Sequence, residues 1–218
     1  MLGGVAAALT PVPAFAGAWQ QADELIVSAA SGEQGGQALR EAGIAWEHSL
    51  SARSGVVVHA YAAGGRAYGG DWTGEAVVAG KWLLVQDGPM ALSLQGGIVA
   101  PLSPLSACKG AGAELRALAG RSFGAAFVDI QAAYRLQNAA CAHARLDATL
   151  GWRPSARWLT MVQVFADRDL RNEHIVKAQI SMARFTTGKL AVQIGARARA
   201  DKGEFRDSAL VVALWRTL

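Results

Sequence analysis

The segment from His143 to Trp152 (HARLDATLGW) alternates polar and apolar side chains at every position until it ends on a tryptophan. Alternation with a period of two predicts a β-strand that has one polar face and one apolar face. The pattern recurs at residues 128–132 and 192–199, where the polar positions include Asp, Gln and Arg. Charged side chains on one face and short aliphatic side chains on the other are typical of a membrane β-barrel with a polar lumen.

Length and composition favour a single membrane-embedded domain. The chain has 218 residues, of which 52% are hydrophobic and 17% charged, and no Pro/Ser-rich or charge-rich linker divides it. That composition is apolar for a soluble protein. Beyond the N-terminus, the sequence has no uninterrupted apolar run of the ~18 residues that a transmembrane helix needs. We therefore expect one all-β domain over residues 17–218 that crosses the membrane with strands.

The N-terminal segment 1–16 (MLGGVAAALTPVPAFA) is apolar and ends on Ala14-Phe15-Ala16, the small-x-small pattern at which signal peptidase cleaves. This predicts a signal peptide. No Lys or Arg precedes Arg40, so the basic region of such a peptide is missing. Two interpretations stay open, a truncated signal peptide and a flexible apolar leader.

About twelve alternating segments follow the leader, each of a length suited to a tilted strand that crosses a bilayer. They centre on residues 25–28, 44–49, 56–61, 75–85, 91–99, 114–119, 127–136, 143–152, 158–165, 175–184, 190–199 and 209–215. The connections alternate between two classes. Tight ones lie at residues 51–54, 86–89, 121–122, 153–155 and 186–188, and mostly longer ones at 31–37, 62–71, 101–113 and 167–173. The remaining two connections, near 138–141 and 201–204, are shorter. This asymmetry predicts short turns at one end of a barrel and long loops at the other.

The large aromatic residues cluster near the tight connections or the C-terminus. They are Trp46, Trp82, Phe123, Trp152, Trp158, Phe185 and Trp215. In a barrel they would ring one end, so we predict an interfacial aromatic girdle there, with Trp46, Trp82, Trp152, Trp158 and Trp215 as its tryptophans.

The two cysteines, Cys108 and Cys141, both fall in connections of the loop class. They are a candidate disulfide, and two unpaired thiols are the alternative.

Together, the leader, the alternating segments, the asymmetric connections and the terminal segment 209–215 resemble bacterial outer-membrane β-barrel proteins, in particular small proteobacterial barrels of about twelve strands. The resemblance implies an antiparallel up-and-down barrel in the lipid bilayer of the outer membrane, inserted by the barrel-assembly machinery and monomeric. Such chains usually end on an aromatic residue that this machinery recognises. Here Trp215 is followed by three more residues, which weakens that signal.

Strand phase assigns a polar set to the inner face of the predicted barrel. The predicted pore-lining residues are Arg116, Asp129, Gln131, Arg135, His143, Arg145, Asp147, Lys177, Gln193, Arg197 and Arg199. Two outcomes follow. The charges could pair and plug a narrow barrel, or a surplus of arginine could line a thin pore that favours anions. A soluble lipocalin-like barrel would reverse this arrangement, with apolar residues inside and polar residues outside.

Other kinds of function find little support in the sequence. His143 is the best candidate for a catalytic base, as in barrel lipases, deacylases and proteases, but no serine flanks it in phase and no GxSxG elbow occurs. We therefore expect no enzyme activity, and we expect no cofactor. We also expect no metal site, because the acidic residues of 167–173 alternate with arginines and lack the glycine of a calcium loop. The net charge of +4 is spread singly along the strands, so nucleic-acid binding is not expected. Passive transport of small, anionic solutes is the first hypothesis, and a plugged structural or surface-interaction barrel is the second.

Overall fold

The protein is described here by a computed structural model that covers residues 23–66, 69–103, 110–137, 142–169, 174–187, 189–201 and 204–218. The predicted signal peptide and both cysteines lie outside these residues, so the expected cleavage and disulfide remain predictions. Among the described residues there is no helix long and apolar enough to cross a membrane.

Twelve antiparallel strands form one closed sheet in which each strand pairs with its neighbours along the chain. The strands are β1 (Glu24–Gln34), β2 (Gln37–Ser49), β3 (Ser54–Gly64), β4 (Trp72–Asp87), β5 (Met90–Pro101), β6 (Gly112–Phe123), β7 (Ala126–Leu136), β8 (His143–Ser155), β9 (Trp158–Asp169), β10 (His174–Thr187), β11 (Leu190–Asp201) and β12 (Glu204–Thr217). Closure comes from β1 and β12, which pair from Glu24 opposite Thr217 to Gln34 opposite Asp207. The predicted all-β, up-and-down barrel of about twelve strands is confirmed.

The two ends of the barrel differ in their connections. One end, called the short-turn end below, carries the connections 50–53, 88–89, 124–125, 156–157 and 188–189. The opposite end, called the loop end, carries 35–36, 65–71, 102–111, 137–142, 170–173 and 202–203. The expected long connection at 31–37 is wrong, because β1 and β2 continue to a two-residue turn. Gly35 and Gly36 occupy it with φ of 59° and 76°, the backbone region that a tight hairpin requires at both central positions.

The outer face of the barrel is apolar. Large aliphatic side chains at alternate strand positions project outward, and Ile98 is the most exposed of the isoleucines at 64%. Others are Val78, Ile130, Leu150, Ile180, Ile194 and Leu210. In water such a surface would aggregate, whereas against lipid it is well solvated. Asp129 and Asp147 are instead buried inside the barrel, so the lipocalin-like alternative, with an apolar interior, is wrong.

Candidate functional site: the barrel lumen

The polar residues that strand phase assigns to the inner face occupy alternate positions whose side chains lie inside the barrel. Arg116, Asp129, Arg135, Asp147 and Gln193 are buried. Gln131, His143, Arg145, Lys177, Arg197 and Arg199 are partly buried. Their polar groups find partners across the lumen as well as on neighbouring strands.

The largest group of contacts is a buried ion-pair network centred on Glu114 of β6. Arg135 donates to Glu114 Oε2 from Nε at 2.9 Å and from Nη2 at 2.6 Å, and Arg116 donates to Oε1 from Nη2 at 3.0 Å. Arg116 also lies 3.6 Å from Asp147 Oδ2, and Arg145 Nε donates to Asp147 Oδ1 at 2.8 Å. The guanidiniums therefore link β6, β7 and β8 into one charged cluster.

Arg135 extends this network across the barrel, because its second partner is Glu75 of β4. A contact between β7 and β4 spans two intervening strands, so the side chains cross the lumen. A second contact between non-adjacent strands joins Lys81 of β4 to Glu47 of β2 over the one strand between them, with Nζ 2.8 Å from Oε1. Lys81 is 1% exposed, so its ammonium is withdrawn from bulk water, whereas the side chain of Glu47 is 22% exposed.

At the loop end, Glu41 of β2 gathers side chains from distant strands. It pairs with Arg197 of β11, accepts a 2.7 Å hydrogen bond from the Tyr61 hydroxyl, and lies 3.8 Å from the Lys177 ammonium of β10. Asp207 of β12 lies 3.5 Å from Arg199 in the same region. Glu41 and Asp207 are absent from the set of pore-lining residues predicted from the sequence. Both are in phase with inward neighbours, and only the underestimated lengths of β2 and β12 concealed them.

The sequence leaves two outcomes open, paired lumen charges or a surplus of arginine, and these carboxylates favour pairing over most of the lumen. The interior carboxylates Glu41, Glu47, Glu75, Glu114, Asp147 and Asp207 each pair with a lumen lysine or arginine. An excess of cations is instead confined to one cavity. Its volume is about 610 Å³, and its charged lining residues are Arg135, Arg145, Lys177, Arg197, Glu75 and Asp167. We call this cavity the vestibule.

Three cationic side chains of the vestibule use only some of their N–H donors in hydrogen bonds to the protein. The Lys177 ammonium lies beyond hydrogen-bond distance of Glu41 and 6.0 Å from the centre of the Tyr61 ring. Arg145 donates from Nε to Asp147, and its guanidinium carbon lies 5.7 Å from the centre of the Phe165 ring. Arg197 uses one terminal nitrogen on Glu41. The remaining N–H groups make the vestibule a donor-rich compartment with two aromatic walls.

An apolar cluster lies toward the short-turn end, within strands β7 to β12. Phe127, Leu159, Met161 and Ala183 form a buried cluster against which Phe185 and Trp215 pack. The Phe127 ring lies so close to Gly151 that a Cβ there would be 2.1 Å from Cε1, so glycine is what admits the ring at this position. Side chains lining a water-filled pore would be accessible to water, and these are not. We call this cluster the apolar plug.

Trp215 is a correction to the predicted girdle. Its indole Nε1 donates to Gln193 Oε1 at 2.7 Å and its ring packs on the plug, so it faces inward. Phe185 faces inward for the same reason of strand phase. Trp82, Trp152 and Trp158 are exposed on the outer face, and Trp46 stacks on His48 with ring centres 5.6 Å apart. An outward group at the loop end was missed. It comprises Trp72, Tyr134 and Phe205.

His143, the candidate base, lies at the vestibule with its Nε2 3.9 Å from Asp167 Oδ2. That distance exceeds a hydrogen bond, and no contact with a hydroxyl is present among the described residues. Within the same residues, no group of three or more His, Cys, Asp or Glu side chains could hold a metal ion.

No protein-family model and no curated protein sequence matches the chain. The NanC porin is similar in fold, with a TM-score of 0.68, 8% sequence identity, and coverage of 89% of this chain and 100% of that one. The COG4313 outer membrane channel from Pseudomonas putida F1 gives 0.65, 10%, 92% and 97%, and the KdgM porin 0.64, 5%, 88% and 99%. At such identities the likeness shows the fold: the chain has the architecture of an outer-membrane β-barrel, and its structural neighbours include porins and channels.

Proposed function

We propose that this chain is a monomeric outer-membrane channel that passes small, preferentially anionic solutes, and that the apolar plug gates the passage. The observation that carries the proposal is the vestibule, a cavity with four cationic side chains in its lining and a volume within the size range of small-molecule sites. Arg145, Lys177 and Arg197 give it unfilled hydrogen-bond donors and positive charge, which favour a carboxylate or phosphate over a cation.

The plug sets the expected size of the current. A solute that leaves the vestibule toward the short-turn end meets Phe127, Met161 and Trp215, which are closely packed. Hydrophobic constrictions of this kind gate channels by excluding water. Passage therefore requires the side chains to move apart, and we expect brief, small steps of conductance in place of a wide open pore.

A second candidate is supported by the same plug. If the side chains never part, the barrel is closed, and the vestibule is a binding site without passage. The buried network around Glu114 and Arg135 favours this alternative, because paired charges in a narrow barrel cross-link its walls. The likeness to the KdgM and NanC porins supports the channel, although it concerns the fold alone.

One substitution separates the two candidates. Phe127→Ala removes the ring that packs over Gly151 of the neighbouring strand and forms part of the apolar plug, so the gated channel predicts a larger conductance in planar bilayers than that of the wild-type protein. Phe123→Ala is the matched control, since that phenylalanine lies at the same end but is exposed on the outer face. Folding is checked for both variants by the change of gel mobility on heating.

The outcomes divide clearly. A rise in conductance for Phe127→Ala alone, with current carried mainly by anions in a salt gradient, supports the channel. A folded wild-type protein and a folded Phe127→Ala variant that are both silent would leave the closed barrel as the better account. Arg145→Gln should reduce the preference for anions, whereas Arg121→Gln, on the outer face, should leave it unchanged.

A further inference from the structure

Basic residues are concentrated on one arc of the short-turn end, outside the lumen. From the β8–β9 turn to the end of β12, the charged side chains of this rim are Arg157, Arg184, Lys189 and Arg216, beside the inward-facing Arg153, and no Asp or Glu is among the described residues there. The outer face at the loop end differs, since it mixes both signs in Glu33, Arg40, Arg168 and Glu204.

Arg184 lies at the boundary between the apolar outer face and this rim. It is exposed at the end of β10, and its guanidinium carbon lies 5.5 Å from the centre of the Trp158 ring. A tryptophan with one apolar side and one wet side is typical of the headgroup level of a membrane. The cation–π contact fixes the guanidinium at that same level.

Arg216 of β12 lies near the same end of the barrel as Arg184 of β10. Leu190 of β11 pairs with Arg216, and Val192 pairs with Arg184, so one strand and two residues separate the arginines. With strands about 4.8 Å apart and residues about 3.4 Å apart along a strand, the two Cα atoms are about 12 Å apart. Two long side chains can meet one headgroup across that span, over a floor that includes Leu190. Lys189 in the adjoining turn adds a third cation.

No carboxylate among the described residues lies within 4.0 Å of either guanidinium, since neither arginine takes part in a salt bridge. Arginine presents several N–H groups in a planar fork that matches a phosphate. Just toward the middle of the membrane, Met182, Val192 and Leu214 are exposed and apolar. A ligand that satisfies both surfaces carries an anionic phosphate on a hydrocarbon tail.

We propose that Arg184, Lys189 and Arg216, with Trp158, bind the headgroup of an anionic phospholipid in the leaflet that meets the short-turn end. Its acyl chains lie against Val192 and the neighbouring aliphatic side chains. This site is on the lipid face of β9–β12 and does not depend on whether the lumen conducts.

The test is native mass spectrometry of the refolded full chain in detergent, titrated with phosphatidylglycerol or with phosphatidylcholine of the same acyl chains. The wild-type protein should retain phosphatidylglycerol in preference to phosphatidylcholine. A basic residue near a membrane surface contributes about 1 kcal/mol to attraction for anionic lipid, which corresponds to about fivefold in affinity. Arg184→Gln and Arg216→Gln should each weaken phosphatidylglycerol binding about fivefold, and the double variant about 25-fold.

The control is the pair Arg40→Gln and Arg168→Gln, which removes two outward arginines at the loop end. It should leave phosphatidylglycerol binding unchanged. Equal retention of both lipids by the wild-type protein would overturn the proposal, as would an equal loss in the control pair. If the double variant does not refold, the two single variants are used in its place. Phosphatidylglycerol affinities within twofold of the wild-type value for both single variants would also overturn the proposal.

Discussion

Arg135 binds two carboxylates that differ strongly in their exposure to water, and this difference allows a precise prediction. The side chains of Arg135 and Glu114 are 6% and 4% exposed, whereas that of Glu75 is 36% exposed. Glu114→Gln removes the charge that holds both Arg135 and Arg116, leaving two buried guanidiniums without their main partner. Breaking a buried pair in this way costs about 3–5 kcal/mol.

Glu75→Gln acts on the same arginine but should cost at most about 1 kcal/mol, because water screens an exposed ion pair. The assay is urea-induced unfolding of each variant in lipid vesicles, followed by tryptophan fluorescence at low and high salt. High salt should abolish the loss of unfolding free energy caused by Glu75→Gln and leave the loss caused by Glu114→Gln unchanged. Equal losses of unfolding free energy for the two variants, within about 1 kcal/mol, would refute the inference that the ion pairs of Glu114 are shielded from water.

Three further predictions test the plug, the outer face and the rim. Gly151→Ala brings a Cβ into the Phe127 ring and should lower the free energy of unfolding by about 1–3 kcal/mol, measured by urea denaturation. Ile130→Arg places a charge on the lipid face and should cost about 2–4 kcal/mol near the midplane, seen as a smaller heat-modifiable fraction on gels. The Ser49 backbone N–H donates to Asp23 and lowers the pKa of that carboxyl below 3.8, so the bond stabilises the barrel above that pH and is lost in stronger acid. Asp23→Asn should flatten the decline of the urea midpoint between about pH 5 and pH 2.

Controls for these predictions lie in the same chain. Gly96→Ala adds a Cβ that meets nothing nearer than 3.9 Å, so its stability should match that of the wild-type protein, and a loss equal to that of Gly151→Ala would contradict the packing argument. Normal assembly of Ile130→Arg would overturn the assignment of the outer face. An unchanged acid decline in Asp23→Asn would show that other carboxyls control it.

Alternation alone was sufficient to predict the twelve strands, because a one-residue slip would move every charge to the lipid face. His143, Arg145 and Asp147 illustrate this, since their spacing assigned them to the interior before any pairing was known. The end of β1 was predicted less well. Two adjacent glycines indicate a tight hairpin turn as readily as a loop, and only the pairing of Gln34 with Gln37 distinguishes the two.

The contents of the lumen were harder to predict, because strand phase gives the face of a residue and not its partner. Trp215 is near a membrane boundary in sequence, yet its phase points it inward, where Gln193 accepts its N–H. The plug escaped prediction for a related reason. Strand phase assigns Phe127, Met161 and Ala183 to the inner face, but they are distant in sequence and come together only when the sheet closes, so no local pattern shows that they pack into one cluster.

The central claim is that a solute can pass from the vestibule through the plug. Its most direct test is single-channel recording of the refolded wild-type protein in a planar bilayer with a gradient of potassium chloride. The account predicts small, brief steps whose reversal potential shows that chloride carries most of the current. A folded, inserted barrel that shows no steps, or steps carried mainly by potassium, would contradict it.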